Sequence, residues 1–399
     1  MKNQALHPLL TALLLAATFL VATGCGNNNP PPAVEPPVVA EPQAPDIAEP
    51  EASDITEPEG EAAIQWREPA LEALVREKLE KPEGDIFPSD LDNIQRIELF
   101  GATHIFFNAE RTYSMPIMNA SQYSDDKGID IYYHDRDSTG KLTNKALSPD
   151  LLKTDGSYEI DGQKYTRGSI SSLADFANFR NLEYLIVHKN NLQDLAGLSS
   201  LEKLVWLHIQ DCAVQNIEGL AGLQHVDYLN LAVNQITDIS PLGNLSQLQH
   251  LILSYNQINS LDGIATLTDL GQLRFSYNPI INNFDAIKDM EKLATLHFDG
   301  TKIDDISALA DISTLQGLHI SNLETERIDL APLAGLKKLN LLRIAQNKAE
   351  LLNIRTLGEI KTLEILEVLQ GANISDEDIA WLSEQLPYCL ITDSFFETR

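Results

Sequence analysis

The chain has 399 residues, of which 43% are hydrophobic, and this is enough apolar material to bury a large core. Its 58 acidic residues against 29 Lys and Arg give a formal charge of −29, which argues against a nucleic-acid partner because phosphate binding needs clustered basic side chains. The three cysteines, Cys25, Cys212 and Cys389, are too few for a disulfide framework, so stability must come from packing.

The first 25 residues have the pattern of an export signal. Lys2 precedes an apolar run from about Leu9 to Val21, which is too short to span a bilayer comfortably, so we predict a signal peptide over residues 1–24. The sequence Ala-Thr-Gly-Cys that ends at Cys25 resembles the lipobox of bacterial lipoproteins. The resemblance implies a lipid on Cys25 and an extracytoplasmic protein anchored to the bacterial membrane or envelope. Simple secretion with a free Cys25 is the alternative.

A tether is predicted for residues 25–63. Asn, Pro, Glu and Ala dominate this segment, and residues 26–65 contain nine acidic residues and no Lys or Arg. Such a composition cannot bury enough apolar surface to offset the entropy of ordering, and its prolines favour extended polyproline geometry. We expect the tether to be disordered and to hold the next domain away from the membrane.

Residues 64–105 are predicted to form a helical N-terminal cap and the first strand of a repeat array. A helical pattern after Pro69 places four apolar side chains on one face: Leu71, Leu74, Val75 and Leu79. Four later residues have the spacing of the first half of a repeat: Ile94, Ile97, Leu99 and Ile105. A cap is needed because the open end of a stack of repeats exposes core side chains and a strand edge.

Residues 106–169 interrupt the first repeat, whose second half resumes at Ile170. We therefore predict an insert of 64 residues with two β-hairpins, at 129–143 and 158–166. The stretch 135–140 resembles the opening of a calcium loop, but Ala146 stands where such a loop needs a bidentate Glu, so we interpret it as a hairpin turn. The insert is interpreted either as a partner contact or as an enlarged cap, and both interpretations stay open.

Residues 170–374 contain a repeat with a period near 22 residues, and this period predicts the fold. Its units start at Leu182, Leu204, Val226, Leu248, Leu270, Leu293, Leu315, Leu339 and Leu363. The pattern of Leu229, Leu231 and Asn234 resembles the leucine-rich-repeat motif, and the run from Ile236 to Leu242 resembles the internalin-type subclass. The resemblance covers about 170–399. It implies an α/β solenoid with a curved parallel β-sheet on the concave side and short 3-10 or irregular segments on the convex side.

A polar residue follows each Leu-x-Leu step and can hydrogen-bond the backbone at the sharp turn that leaves the strand. Repeated through the stack, such residues form a ladder. We predict this ladder at Asn190, Cys212, Asn234, Asn256, Asn278, Thr301 and Asn347. Cys212 is accordingly interpreted as a buried ladder residue and not as a reactive thiol.

Side chains that alternate with the inward leucines face the concave side and form the predicted ligand-binding surface. Tyr184, Trp206 and Tyr228 occupy equivalent positions, so a column of exposed rings about 5 Å apart is expected. Tyr and Trp dominate interface hot spots, which favours binding over a purely structural role. The predicted ligand-binding residues are Tyr184, Trp206, His208, Tyr228, His250, Arg274, His297, His319 and Arg343.

Five of the nine histidines face the concave side: His188, His208, His250, His297 and His319. His297 and His319 lie in matching places of adjacent units. Metal binding and pH sensing are two hypotheses for this pair, since neighbouring imidazoles resist joint protonation. We expect solvated surface histidines instead, and no metal or cofactor site is predicted.

Residues 375–399 are predicted to form the C-terminal cap. A helical pattern in Ile379, Leu382 and Leu386 is followed by a Leu-Pro-x-Cys sequence that ends at Cys389. This ending resembles a common closing unit of leucine-rich-repeat proteins. We expect Cys389 to be packed.

These features predict a binding protein and not an enzyme. We expect the concave face of a monomer to recognise a protein or glycan ligand, and the resemblance to internalins implies adhesion at a cell surface. The first alternative is an envelope scaffold that binds a partner protein or peptidoglycan. A more remote alternative is an enzyme that uses residues 106–169, although the sequence contains no nucleophile–base pair or paired carboxylates with sensible spacing.

Overall fold

The computed structural model describes the predicted repeats and both predicted caps. It covers residues 61–101, 104–108, 132–136, 142–146, 157–160, 163–166, 168–193, 195–279, 284–345, 349–368 and 373–392. The predicted signal peptide, Cys25, almost all of the tether and Asn347 lie outside these residues. Among the residues that are covered, no helix combines the length and the apolar composition needed to cross a membrane.

The described residues contain eighteen short strands. They are β1 (Arg96–Phe100), β2 (His104–Phe107), β3 (Tyr132–Arg136), β4 (Leu142–Ala146), β5 (Ser157–Ile160), β6 (Gln163–Thr166), β7 (Tyr184–His188), β8 (Trp206–Gln210), β9 (Tyr228–Asn230), β10 (His250–Ile252), β11 (Gln272–Arg274), β12 (Thr295–His297), β13 (Gly317–His319), β14 (Arg327–Asp329), β15 (Leu341–Arg343), β16 (Glu350–Leu352), β17 (Ile365–Glu367) and β18 (Leu390–Thr392). Twelve of them form one open sheet in the order β18-β17-β15-β13-β12-β11-β10-β9-β8-β7-β1-β2. β2 is antiparallel to β1, and the other eleven strands are parallel.

Each unit places a leucine at the same register position of the sheet, so leucine stacks on leucine through the core. These leucines are fully buried and are Leu185, Leu207, Leu229, Leu251, Leu273, Leu296, Leu318, Leu342 and Leu366. Burial of a Leu side chain contributes roughly 1.5–3 kcal/mol, but only when the neighbouring units cover it. The predicted leucine-rich-repeat solenoid is therefore confirmed.

On the convex side, opposite the large sheet, short 3-10 helices connect the strands, as the resemblance implied. They span Pro88–Leu91, Ala174–Asn178, Ala196–Ser200, Glu218–Leu220, Ser240–Asn244, Asp262–Ile264, Phe284–Ile287, Ser307–Asp311, Ala331–Gly335 and Ile354–Glu359. Successive 3-10 turns pack closely against each other. A Cβ added to Gly197 would lie only 2.1 Å from the carbonyl oxygen of Leu173. Only glycine allows this approach.

Buried asparagines that follow several of the strands bond to the backbone of their own unit and of the preceding one. The side-chain oxygen of Asn234 accepts hydrogen bonds from the N–H groups of Cys212 and Val214, both at 3.1 Å. Its amide nitrogen donates to the carbonyl oxygens of Ile209 (2.8 Å) and Leu231 (2.9 Å). Asn256 and Asn278 repeat both donor contacts one and two units later, and they accept from the N–H groups of Ile236 and Ile258 respectively.

Other residues at ladder positions make fewer bonds. The Asn190 amide donates to the carbonyl oxygens of Gly101 and His188. The Cys212 thiol contacts the carbonyl oxygen of Gln210 at 3.2 Å. The Thr301 hydroxyl donates to the carbonyl oxygen of Phe298 at 2.8 Å. Residues preceding ladder positions adopt a left-handed conformation with φ between 55° and 63°: Lys189, Asp211, Val233, Tyr255, Tyr277 and Gly300. This conformation is costly for side chains such as Val, so the ladder bonds help to hold a strained turn.

The N-terminal cap is held by two buried carboxylates, Glu68 and Asp175. One carboxylate oxygen of Glu68 accepts from the N–H and hydroxyl of Ser171 and from the N–H of Ser172, at 2.6–3.0 Å. Asp175 accepts in return from the N–H groups of Arg67 and Glu68. Helix α1 (Pro69–Lys78) begins directly after Glu68 and buries Leu71, Leu74 and Val75.

The C-terminal cap differs in part from the predicted helical pattern. Helix α2 (Asp376–Gln385) ends before Pro387, and the chain then adds β18 to the sheet edge beside β17. Trp381 packs against Gly358, and the Arg355 guanidinium lies 5.4 Å from the centre of the Trp381 ring. Burial raises the pKa of the Cys389 thiol to about 11, so this thiol is protonated at neutral pH.

Within the part of the chain that the structure describes, three two-stranded sheets lie outside the large sheet. Two of them, β3 with β4 and β5 with β6, are antiparallel and fall within the predicted insert. The third pairs β14 with β16 in parallel and belongs to the connections that leave β13 and β15. This third sheet was not predicted from the sequence, because the irregular later units obscure the alternation of its strands.

The ladder yields a stability prediction. Asn234→Ala removes an acceptor for two buried N–H groups and a donor to buried carbonyl groups, and each orphaned buried group costs about 1–3 kcal/mol. We expect the free energy of unfolding, measured by urea denaturation, to fall by about 3 kcal/mol. The matched control is Asn259→Ala, the same change at an exposed position. Equal stability of the two variants would contradict the ladder's role.

Candidate functional site

The register of the parallel strands aligns the concave side chains into columns. The first column, starting from the N-terminal end, contains Arg96, Tyr184, Trp206, Tyr228, His250, Gln272, Thr295, Gly317 and Leu341. The second contains Glu98, Ile186, His208, Asn230, Ile252, Arg274, His297, His319, Arg343 and Glu367. All nine predicted ligand-binding residues fall in these two columns.

The first column contains an aromatic row, which we define as Tyr184, Trp206, Tyr228 and His250. The rings of Trp206 and Tyr228 stack with centroids 3.5 Å apart and planes 6° apart. Tyr228 also contacts His250 at 6.1 Å, and the Arg96 guanidinium lies 5.7 Å from the centre of the Tyr184 ring.

The aromatic row is less exposed than the sequence analysis predicted. Tyr228 is only 7% exposed, whereas Tyr184, Trp206 and His250 are half-buried. The expectation of a column of exposed rings is therefore wrong for Tyr228. Its ring faces are covered because strands about 5 Å apart press adjacent large side chains together on the inside of the curve.

The histidines of the second column are also buried, so the expectation of solvated surface histidines is wrong for them. His208, His297 and His319 are between 4% and 8% exposed, and His188 beside this column is 9% exposed. One ring nitrogen of His208 lies 2.9 Å from the side-chain oxygen of Gln210. Only His250 among the five concave histidines is half-buried.

His297 and His319 form a stacked pair at the C-terminal half of the second column. Their ring centroids are 3.7 Å apart and their planes differ by 10°. Arg274 precedes the pair and Arg343 follows it, and both are buried. The Arg343 guanidinium forms an ion pair with Glu367 at 2.6 Å.

These surroundings determine the charge state of His297 and His319. Burial lowers the pKa of His297 well below its ordinary value, and the charges of His319, Arg274 and Arg343 lower it further. Burial also lowers the pKa of His319 well below its ordinary value, again assisted by Arg343 and Arg274. Both imidazoles are therefore neutral at pH 7.

Asp299 lies beside the histidine pair. Its carboxylate accepts hydrogen bonds from the Ser276 hydroxyl at 3.0 Å and from the Ser321 N–H at 2.7 Å. Burial raises the pKa of Asp299, while the Ser321 N–H, Arg343 and Ser276 act in the opposite direction. A ring nitrogen from each histidine and a carboxylate oxygen of Asp299 all lie within 4.8 Å of one another.

Asp299 was not among the residues predicted from the sequence to form a site. The available signal was Ser276, Asp299 and Ser321 at equivalent places in three consecutive units. Glu98 and Glu367, which the register places in the second column, were not predicted from the sequence either.

Comparisons with known proteins add similarities to bacterial leucine-rich-repeat proteins. No protein-family model matches the sequence, and no curated protein matches it. Among solved structures, the chain is similar to internalin C2 of Listeria monocytogenes at 30% identity and a TM-score of 0.42, over 49% of this chain and 91% of that one.

Two further solved structures extend these similarities. Another internalin of Listeria monocytogenes, InlF, matches 82% of this chain and 94% of its own at 19% identity and a TM-score of 0.46. A leucine-rich-repeat protein of Leptospira interrogans matches 56% of this chain and 76% of its own, at 19% identity and a TM-score of 0.33. The fold assignment of the present chain rests on its own 22-residue period, strand register and leucine core.

Proposed function

We propose that the chain is a non-enzymatic binding protein whose concave face recognises a protein ligand. The observation that carries the proposal is the aromatic row, supported on a continuous parallel sheet. Trp206 and Tyr184 are half-buried, with Trp206 stacked on Tyr228 and Tyr184 beside the Arg96 guanidinium. Rigid aromatic side chains of this kind lose little entropy on binding and supply the largest hot-spot energies.

The packing of the row favours a protein over a glycan. A sugar ring binds an aromatic residue by lying on its face, but Trp206 and Tyr228 already cover one face of each other at 3.5 Å, and Tyr228 is only 7% exposed. Their edges and polar groups are better suited to side chains and backbone of a protein partner. The formal charge of −29 favours a ligand with a basic surface, because a negatively charged protein speeds the diffusion of a positively charged partner toward it.

We propose further that the protein acts outside the cytoplasm, held by a lipid on Cys25. The support is the order of features before the repeats: a short apolar run, the lipobox-like sequence, and a Pro-rich acidic tether over residues 25–63. Such a tether would carry the binding face away from the membrane. Adhesion to another cell and scaffolding within the envelope both fit this arrangement, and the location of the ligand distinguishes them.

The binding proposal is tested with arrays of purified surface proteins and of glycans, probed with the full-length chain. We expect binding to a protein spot, and a loss of at least about 30-fold in affinity for Trp206→Ala, which corresponds to a hot spot of 2 kcal/mol. The control is Tyr388→Ala, which removes an aromatic side chain that is 98% exposed on the C-terminal cap. Circular dichroism checks that both variants are folded.

Two array results would overturn this proposal. One is unchanged protein binding by a folded Trp206→Ala variant. The other is binding to glycan spots alone.

The anchoring proposal is tested by labelling with a palmitate analogue in a bacterial host that processes lipoproteins. We expect the wild-type chain to take up the label and to partition into detergent. Cys25→Ser should lose both properties, because the thiol is the attachment point, whereas Cys389→Ser should keep them. Equal labelling of the two variants would refute a lipid on Cys25.

A further inference from the structure

We propose that His297, Asp299 and His319 bind a transition-metal ion of the Zn²⁺ class. This inference concerns a second site, in the second column, and is independent of ligand capture by the aromatic row. His297 and His319 end β12 and β13 and are register partners, and Asp299 follows β12 by two residues, so the register of the solenoid itself brings the three side chains together. Their candidate ligand atoms lie within 4.8 Å of one another. Zn²⁺ bonds of about 2.0–2.2 Å hold neighbouring ligand atoms about 3–4 Å apart, so small side-chain rotations are enough.

Two buried nitrogen atoms provide an independent reason for a ligand at this place. Nε2 of His297 and Nε2 of His319 are buried and have no hydrogen-bond partner. The two side chains are only 7% and 4% exposed. Leaving a buried polar atom unpartnered costs about 1–3 kcal/mol, and native proteins rarely do so. Two such atoms in equivalent positions of adjacent units are accounted for by a shared ion.

The donor set selects the class of ion. Two imidazole nitrogens with one carboxylate suit Zn²⁺, Ni²⁺ or Cu²⁺, whereas Ca²⁺ and Mg²⁺ require oxygen ligands. A metal-binding imidazole must be neutral, and both rings are buried, which disfavours the charged form. The Ser276 hydroxyl and the Ser321 N–H already orient the Asp299 carboxylate, which has acceptor capacity left for a metal.

The charges around the site limit its affinity without preventing binding. Arg274 and Arg343 repel a cation, but the Arg343 charge is paired with Glu367 and Asp299 adds a second negative charge. The excess of acidic residues over the whole chain attracts cations. Three protein ligands leave one position of a tetrahedral ion open, in the manner of sites that exchange their fourth ligand. We therefore expect a reversible site and not a structural one.

The test uses the full-length chain without an affinity tag, titrated with Zn²⁺ alone by calorimetry and with Co²⁺ alone by visible absorption. We expect one ion per chain and a Co²⁺ spectrum of tetrahedral type. His297→Gln and His319→Gln should each weaken binding by at least about ten-fold, and Asp299→Asn should do the same. His225→Gln, at an exposed histidine, is the matched control and should bind as the wild type does.

A measurement on the wild-type chain keeps the test decisive if a variant fails to fold. In nuclear magnetic resonance, one equivalent of Zn²⁺ should shift the ring resonances of His297 and His319. Absence of stoichiometric binding, or ring shifts confined to other histidines, would overturn the proposal. Unchanged binding by a folded His319→Gln variant would overturn it equally. None of these three results bears on the aromatic row, so the metal proposal and the ligand-binding proposal fail separately.

Discussion

The constraint on which the structure depends is the identical register of consecutive 22-residue units. One unit exposes both edges of its strand and both sides of its leucines, and only a neighbour in the same register covers them. Leu207 lies between Leu185 and Leu229 in this way, and all three are fully buried. The asparagine ladder and the closely packed 3-10 turns depend on the same alignment. A shift of one residue would turn every leucine of a strand to the concave side.

The same register arranges the concave surface. Because equivalent positions stack about 5 Å apart, a residue type that recurs in adjacent units becomes a contact pair: Trp206 meets Tyr228, and His297 meets His319. The two pairs lie in different columns and have different chemistry. Partly open aromatic rings favour protein contact, whereas buried imidazoles beside a carboxylate favour a metal ion. A solenoid can thus carry two unrelated sites, since each needs only neighbouring units.

The fold could be predicted from the sequence because its information is local and repeated. The period, the Leu-x-Leu steps and the asparagines each recur, so irregular units do not hide them. The face on which Trp206 and His297 lie follows from the same alternation, but their burial does not, because it depends on how neighbouring side chains crowd a curved surface. The hydrogen bonds around Glu68 and Asp175 join residues 107 positions apart, so they leave no periodic signal in the sequence. β18 escaped prediction for the related reason that one terminal strand does not repeat.

Removal of one whole unit tests the register most directly. Deletion of residues 248–269 takes out 22 residues and should place Leu273 beside Leu229, with the core, the ladder and the sheet continuous. Thermal unfolding followed by circular dichroism should then remain cooperative, at a lower midpoint. Deletion of residues 248–258, half a unit, should abolish the cooperative transition because the leucines no longer align. Cooperative unfolding of both deletions at the same midpoint would contradict the account.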